Sequence, residues 1–118
     1  MHLPEIDPLD ATLAAPHFHR VLLENETVRV LDTMVRPGET VPLHTHRWPA
    51  VLYIVSWSNC VRRDVNGAIT MDSRGSAVPI PGTALWSTPL PPHTLENVGD
   101  GELRVIVVEQ KQQQATGA

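Results

Sequence analysis

From Arg20 onward the chain is a succession of short apolar, β-branched runs separated by Pro, Gly, Asn and Asp. In "RVLLENETVRVLDTMV", Glu24-Asn25-Glu26 parts two strand-like runs. In the second run Arg29, Leu31, Thr33 and Val35 share one face, and Val28, Val30, Asp32 and Met34 share the other, because side chains alternate along a strand. Both faces are largely apolar, which predicts a strand covered on two sides. "RPGET" ends it with a Pro-Gly turn. "AVLYIVSW" is a continuous β-branched and aromatic run, the pattern of another strand buried on both faces. "CVRRDVNGAITMD" predicts a hairpin in which Asn66-Gly67 supplies positive φ angles between Cys60–Asp64 and Ala68–Asp72. "SRGSAVPIPG" predicts a loop with a short apolar piece at Ala77–Ile80. "TALWSTPLPPH" predicts a short strand and a proline-rich turn. "HTLENVGDGELRVIVVEQK" predicts a last hairpin that turns at Gly99-Asp100-Gly101.

No window carries a helical stripe. About eight or nine short strands with turn signals between them indicate an all-β barrel or sandwich. The 118 residues make one domain. The pattern divides it into an N-terminal arm over 1–19, a barrel over 20–110 and a polar tail over 111–118, "KQQQATGA", that should fray. The arm is free to pack on a partner subunit.

Composition narrows the partners. Eleven prolines and seven glycines agree with many short elements joined by turns. A net charge of −4 with no basic run argues against nucleic acid and anionic membrane. No segment approaches the roughly 20 apolar residues of a membrane helix, and the N-terminus lacks the basic and apolar regions of a signal peptide. A cytoplasmic location is the expectation. The single cysteine, Cys60, reads as a small buried apolar residue.

The chemistry lies in the histidines. His44 and His46 stand two residues apart in an extended stretch, so their rings point to one side, ready to chelate a divalent ion. A third ligand must come from elsewhere. His93, behind the rigid "TPLPP", is the best candidate. His2, His17 and His19 compete on composition, but the arm–strand junction at His17 and His19 argues against burial.

These residues bring a resemblance into view. Gly38 followed after five residues by His44-Thr45-His46 is similar to the first motif of the cupins, and His93 followed after three residues by Asn97 is similar to the end of the second. The likeness covers about residues 20–110. It implies a double-stranded β-helix, a jelly-roll barrel, with a metal held by His44, His46 and His93, and a homodimer. Two departures stand out. The Glu of the first motif, expected at position 50 or 51, is replaced by Ala50 or Val51, and the Pro-x-Gly of the second becomes Pro89-Leu90-Pro91-Pro92.

Losing that carboxylate leaves three neutral imidazoles and the full charge of the ion, a stronger Lewis acid that welcomes an anionic ligand. Cupins with such a set include iron-dependent thiol dioxygenases and β-diketone-cleaving enzymes. The resemblance therefore implies an Fe(II) dioxygenase acting on a chelating, enolisable or thiol small molecule. Hydrolytic carbon–carbon cleavage of a diketone on the same ion, and a non-catalytic ligand-binding barrel, are the alternatives. Zn, Mn, Ni, Co and Cu suit imidazole as well. Trp48, Ala50 and Leu52, on the face of the histidines, together with Tyr53 and Trp86, are the candidate pocket residues. Arg62 and Arg63 could neutralise a substrate carboxylate, or decorate an exposed hairpin.

Overall fold

The computed structural model describes residues 7–111. His2, which competed as a ligand, and the tail beyond Lys111 lie outside them. Among the described residues there are nine strands: β1 (His19–Glu24), β2 (Val28–Val35), β3 (Thr40–His46), β4 (Ala50–Ser56), β5 (Cys60–Asp64), β6 (Ile69–Asp72), β7 (Ala84–Ser87), β8 (Leu90–Asn97) and β9 (Leu103–Gln110). They form two sheets, ordered β1-β2-β9-β4-β7 and β3-β8-β5-β6. The fold is all-β, but its sheets are not closed by hydrogen bonding into a continuous barrel.

Alternation builds the core. Leu31 and Val35 of β2, Ile54 of β4 and Leu103, Val105 and Val107 of β9 all point inward and are buried. Val41 and Cys60 close the core from the other sheet. The outer face of the larger sheet differs from the sequence expectation. On that side of β4, Tyr53 and Val55 are exposed. Their neighbours there, Val51 and its cross-strand partners Trp86 and Val108, are apolar too.

The turns follow local chemistry. Asn25 Oδ1 accepts from the backbone N–H groups of Thr27 and Val28 and closes the β1–β2 hairpin. In the β5–β6 hairpin only Gly67, with φ 83°, takes the left-handed conformation; Asn66 does not, because Asp64 Oδ1 accepts from the N–H groups of Asn66 and Ala68 and shapes a longer loop. Of the prolines expected in a turn, Pro91 and Pro92 lie at the start of β8. There they cost no sheet hydrogen bond to β5, whose pairing begins only at His93.

The arm is no loose appendage. Asp10 caps a one-turn helix, α1 (Ala11–Ala14), and Ala11 and Ala15 are fully buried. The N–H of Thr45 donates to the carbonyl of Leu9 at 2.7 Å, so the arm covers the free edge of β3. Four residues are too short for a helical stripe, which is why the pattern did not reveal α1. At the other end Lys111, assigned to the fraying tail, is tied to the β1–β2 hairpin through the carbonyl of Thr27 and the carboxylate of Glu24. No helix of the described residues is long and apolar enough to cross a membrane.

Candidate metal centre

Four histidines gather between the sheets. His44 and His46 project from β3, and His93 is the direct cross-strand partner of His44 on β8. His19 opens β1, and the expectation that it would not be buried is wrong: the docked arm leaves it 4% exposed. His17 is exposed, as expected. The His44 ring is the hub, with centroids 4.3 Å from His93, 4.9 Å from His19 and 5.0 Å from His46. One ligand atom from each of His19, His44 and His46 falls within 4.8 Å of the others, a spacing fit for one metal ion. His93 extends the cluster, its ring 5.7 Å from that of His46.

Each ring is held from behind. The Nδ1 of His44 donates to the carbonyl of Pro42 at 2.8 Å, and that of His93 to Pro91 at 2.7 Å. The same Pro-x-His step thus recurs on two strands that face one another. His19 Nδ1 donates to Ala15 at 3.0 Å. A carbonyl can only accept, so Nδ1 carries the proton and Nε2 keeps its lone pair, the tautomer a metal requires. The donor set therefore fits a divalent ion. Burial disfavours the imidazolium and is the main cause that lowers His44 to about 3 and His19 and His93 to about 4; neighbouring imidazoles add to it, against the backbone carbonyls. All three are neutral at pH 7.

His46 is held differently. Its Nδ1 lies 3.5 Å from Oε2 of Glu109, and neither atom has a hydrogen-bond partner among the described residues. Glu109 is 0% exposed. Its other oxygen accepts from Arg29 Nε at 2.6 Å, and Arg29 in turn grips both carboxylate oxygens of Asp10 at 2.9 and 3.0 Å. Burial opposes the ionisation of both acids, but hydrogen bonds and charge outweigh it. His46 and Arg29 hold Glu109 below its usual value, and Arg29 with Thr12 holds Asp10 at about 2. A carboxylate suits this place, since one oxygen accepts from Arg29 Nε–H and the other faces His46 Nδ1 at 3.5 Å. An amide would offer one acceptor and one conflicting donor.

Glu109 was missed in the sequence, although a signal existed. Leu103, Val105, Val107 and Glu109 continue one inward face, and a carboxylate in such a series must be paired. Its cross-strand neighbour is Ala50.

The histidines line a cavity of about 140 Å3. Trp48, Ala50 and Leu52 line it, with Val41, Trp57 and Leu95 among the other walls. Tyr53 and Trp86 do not: at 46% and 59% exposed they lie on the outer face. Tyr53 has the opposite parity to Ala50 and Leu52, and Trp86 is paired with outward-facing Val51. Trp48 is flanked by cations, with the guanidinium carbons of Arg47 and Arg29 at 4.1 and 5.0 Å from its ring centre. Arg62, weighed against an exposed hairpin position, lines the cavity; Arg63 faces out and pairs with Glu96 at 2.9 Å. Glu96 is therefore turned away from the histidines. Cys60 is buried on the cavity wall, and burial raises its thiol.

No family model and no curated protein matches the chain. Solved structures do. A cupin domain from Bordetella pertussis superposes with a TM-score of 0.65 at 19% identity, covering 80% of this chain and 92% of that one. An RmlC-like cupin family protein from Methanocaldococcus jannaschii, described as a double-stranded β-helix, gives 0.55 at 15%, covering 78% and 77%. The polyketide cyclase RemF from Streptomyces resistomycificus gives 0.52 at 19%, covering 80% and 64%. At these identities the likeness speaks for architecture. The chain has the cupin fold, a double-stranded β-helix with a histidine cluster between its sheets.

Proposed function

We propose that this protein is a metal-dependent enzyme acting on a small organic molecule, with His44 and His46 as shared ligands and His93 and His19 completing the set. The observation that carries the reading is the cluster of four imidazoles on the wall of an apolar cavity, three of them buried, neutral and locked through Nδ1 by backbone carbonyls. Locked rings lose little freedom on ligation. Walls such as Val41, Leu52 and Leu95 keep water away and strengthen electrostatic contacts inside. A bound divalent ion would act as a Lewis acid on a chelating substrate. Glu109 would hold the His46 proton at Nδ1 and so keep Nε2 free.

The reaction we favour is Fe(II)-dependent dioxygenation of a chelating, enolisable or thiol substrate. Supporting it are the imidazole ligand set and the absence of any carboxylate from the cavity wall among the described residues. Its test is metal analysis of the purified protein, then anaerobic loading with Fe(II) and oxygen uptake with a panel of β-diketones and small thiols. Stoichiometric metal and substrate-dependent uptake are expected. A protein that takes up no divalent ion refutes the metal site, and a loaded protein inert to the whole panel refutes the dioxygenase. The second reading is hydrolytic carbon–carbon cleavage of a diketone on a redox-inert ion. His19 favours it, because a fourth imidazole leaves fewer open positions for oxygen. Product formed by the Zn(II)-loaded protein without oxygen would select it.

A further inference from the structure

Arg62 has no part in the metal site, yet it lines the same cavity. It lies on the inward face of β5, between Leu95 of β8 and Met71 of β6, its two cross-strand partners. His93 is two residues from Leu95 on that strand. This makes it a diagonal neighbour of Arg62, at a Cβ separation of roughly 7–8 Å. The guanidinium should have been neutralised by a nearby acid. Asp72 pairs instead with Arg74, Glu96 with Arg63, Asp32 with Arg104, and Glu109 and Asp10 with Arg29. The carboxylate of Asp64, on the same strand face, is taken by the turn amides of Asn66 and Ala68. Among the described residues Arg62 has neither an ion-pair partner nor a side-chain hydrogen bond.

Even a half-buried cation without a partner carries a desolvation cost unless something meets it. The rest of the wall points the same way. Trp57 Nε1 and Thr33 Oγ1 are buried without a hydrogen-bond partner, and both line this cavity. The indole N–H can only donate. With Arg62 it makes the cavity rich in donors, while no Asp or Glu contributes to the wall.

We infer that Arg62 is the anion-recognition residue of this cavity and that the substrate is a small carboxylate, its acid group on Arg62 and its chelating head toward His93 and His44. The inference rests on the metal-enzyme reading and adds the substrate class. A guanidinium suits the task because its planar fork meets both carboxylate oxygens.

The probes are 4,6-dioxoheptanoate, a β-diketone with a carboxylate tail, and heptane-2,4-dione, the same chelating head without the charge. Their affinities are measured by calorimetry on the Zn(II)-loaded full chain, whose metal content is determined separately. The carboxylate should bind roughly 10- to 100-fold more tightly, the range of a hydrogen-bonded charge pair. Arg62→Met should abolish that preference with metal content unchanged, and Arg62→Lys should restore part of it. Equal affinities, no binding of either probe, or a preference that survives Arg62→Met would overturn the inference. If the chain takes up no Zn(II), the metal reading fails on its own, and the same pair of probes on the metal-free protein still decides for or against Arg62.

Discussion

Arg29 holds together two acids that come from opposite ends of the chain, and its replacement by Met tests how much of the fold depends on that. The side chain is 5% exposed, Asp10 6% and Glu109 0%. Three hydrogen bonds of 2.6 to 3.0 Å join them. Arg29→Met preserves much of the aliphatic volume but leaves two buried carboxylates without a cation. Removing one partner of a buried ion pair costs about 3–5 kcal/mol. A domain of this size holds only roughly 5–15 kcal/mol in total. In urea, with a slope of about 2 kcal/mol/M, the unfolding midpoint should fall by roughly 2 M.

The pH dependence carries a second signature. Asp10 sits at about 2, below its ordinary 3.8. A depressed carboxylate stabilises the fold above the higher value, and that stability is lost as pH falls toward the lower one, here about 2 kcal/mol. Arg29→Met should erase this contribution. Neutralising the acids as well, in Arg29→Met/Asp10→Asn/Glu109→Gln, should recover most of the lost stability, because the harm lies in the orphaned charges rather than in the missing bonds. A midpoint shift under about 0.5 M for the single variant, or a triple variant no more stable than the single one, would refute the reasoning.

His44→Ala should abolish metal binding, since its ring adjoins the other three, and His93→Ala should cut bound metal sharply. Full stoichiometry in His93→Ala together with loss in His19→Ala, read by elemental analysis, would assign the ion to the His19, His44 and His46 triad instead. Glu109→Gln should weaken Zn(II) affinity roughly 10- to 100-fold by freeing the His46 tautomer, with Glu96→Gln as the silent control; unchanged affinity refutes the role. Because His19, His44 and His93 stand at about 3 to 4 against an ordinary 6.5, the unfolded chain binds more protons below that value. The metal-free protein should therefore lose stability on acidification from pH 6.5, by up to about 4 kcal/mol per pH unit for three groups. Equal urea midpoints at pH 7 and pH 5 would contradict this.

Local pattern made much of this fold legible. Alternation put Leu31 and Val35 on one face of their strand, and turn chemistry at Asn25, Gly38 and Gly67 separated the strands. The same parity made Tyr53 readable as outward, because His44, His46, Ala50 and Leu52 are its even-numbered opposites. Trp86 was not readable so, since its face depends on pairing with Val51, a matter of register between distant strands. The burial of His19 depends on a docked arm whose helix is a single turn long. Arg29 and Glu109 lie 80 residues apart, and each alone looks like an ordinary strand charge. Arg62 shares its parity with buried Cys60, but whether a strand end opens to solvent or into a cavity is a property of the packed sheets.

The missing Glu of the first motif gains a different meaning once the pairing is known. Ala50 faces Glu109 across the β4–β9 ladder, both side chains inward, so a carboxylate does stand beside the position the motif would have filled. It cannot play the same part. One oxygen is held by Arg29 and the other faces His46 Nδ1, so it meets an imidazole from behind rather than a cation directly. Reading Ala50 alone leaves a bound ion with its full charge undiminished. With Asp10 and Glu109 ionised and Arg29 charged, the buried trio instead carries one net negative charge next to His46. A charge at that distance would still moderate a bound ion through the intervening ring. It would do so without occupying a coordination position, which would leave the open positions, and the cation at Arg62, to the proposed substrate.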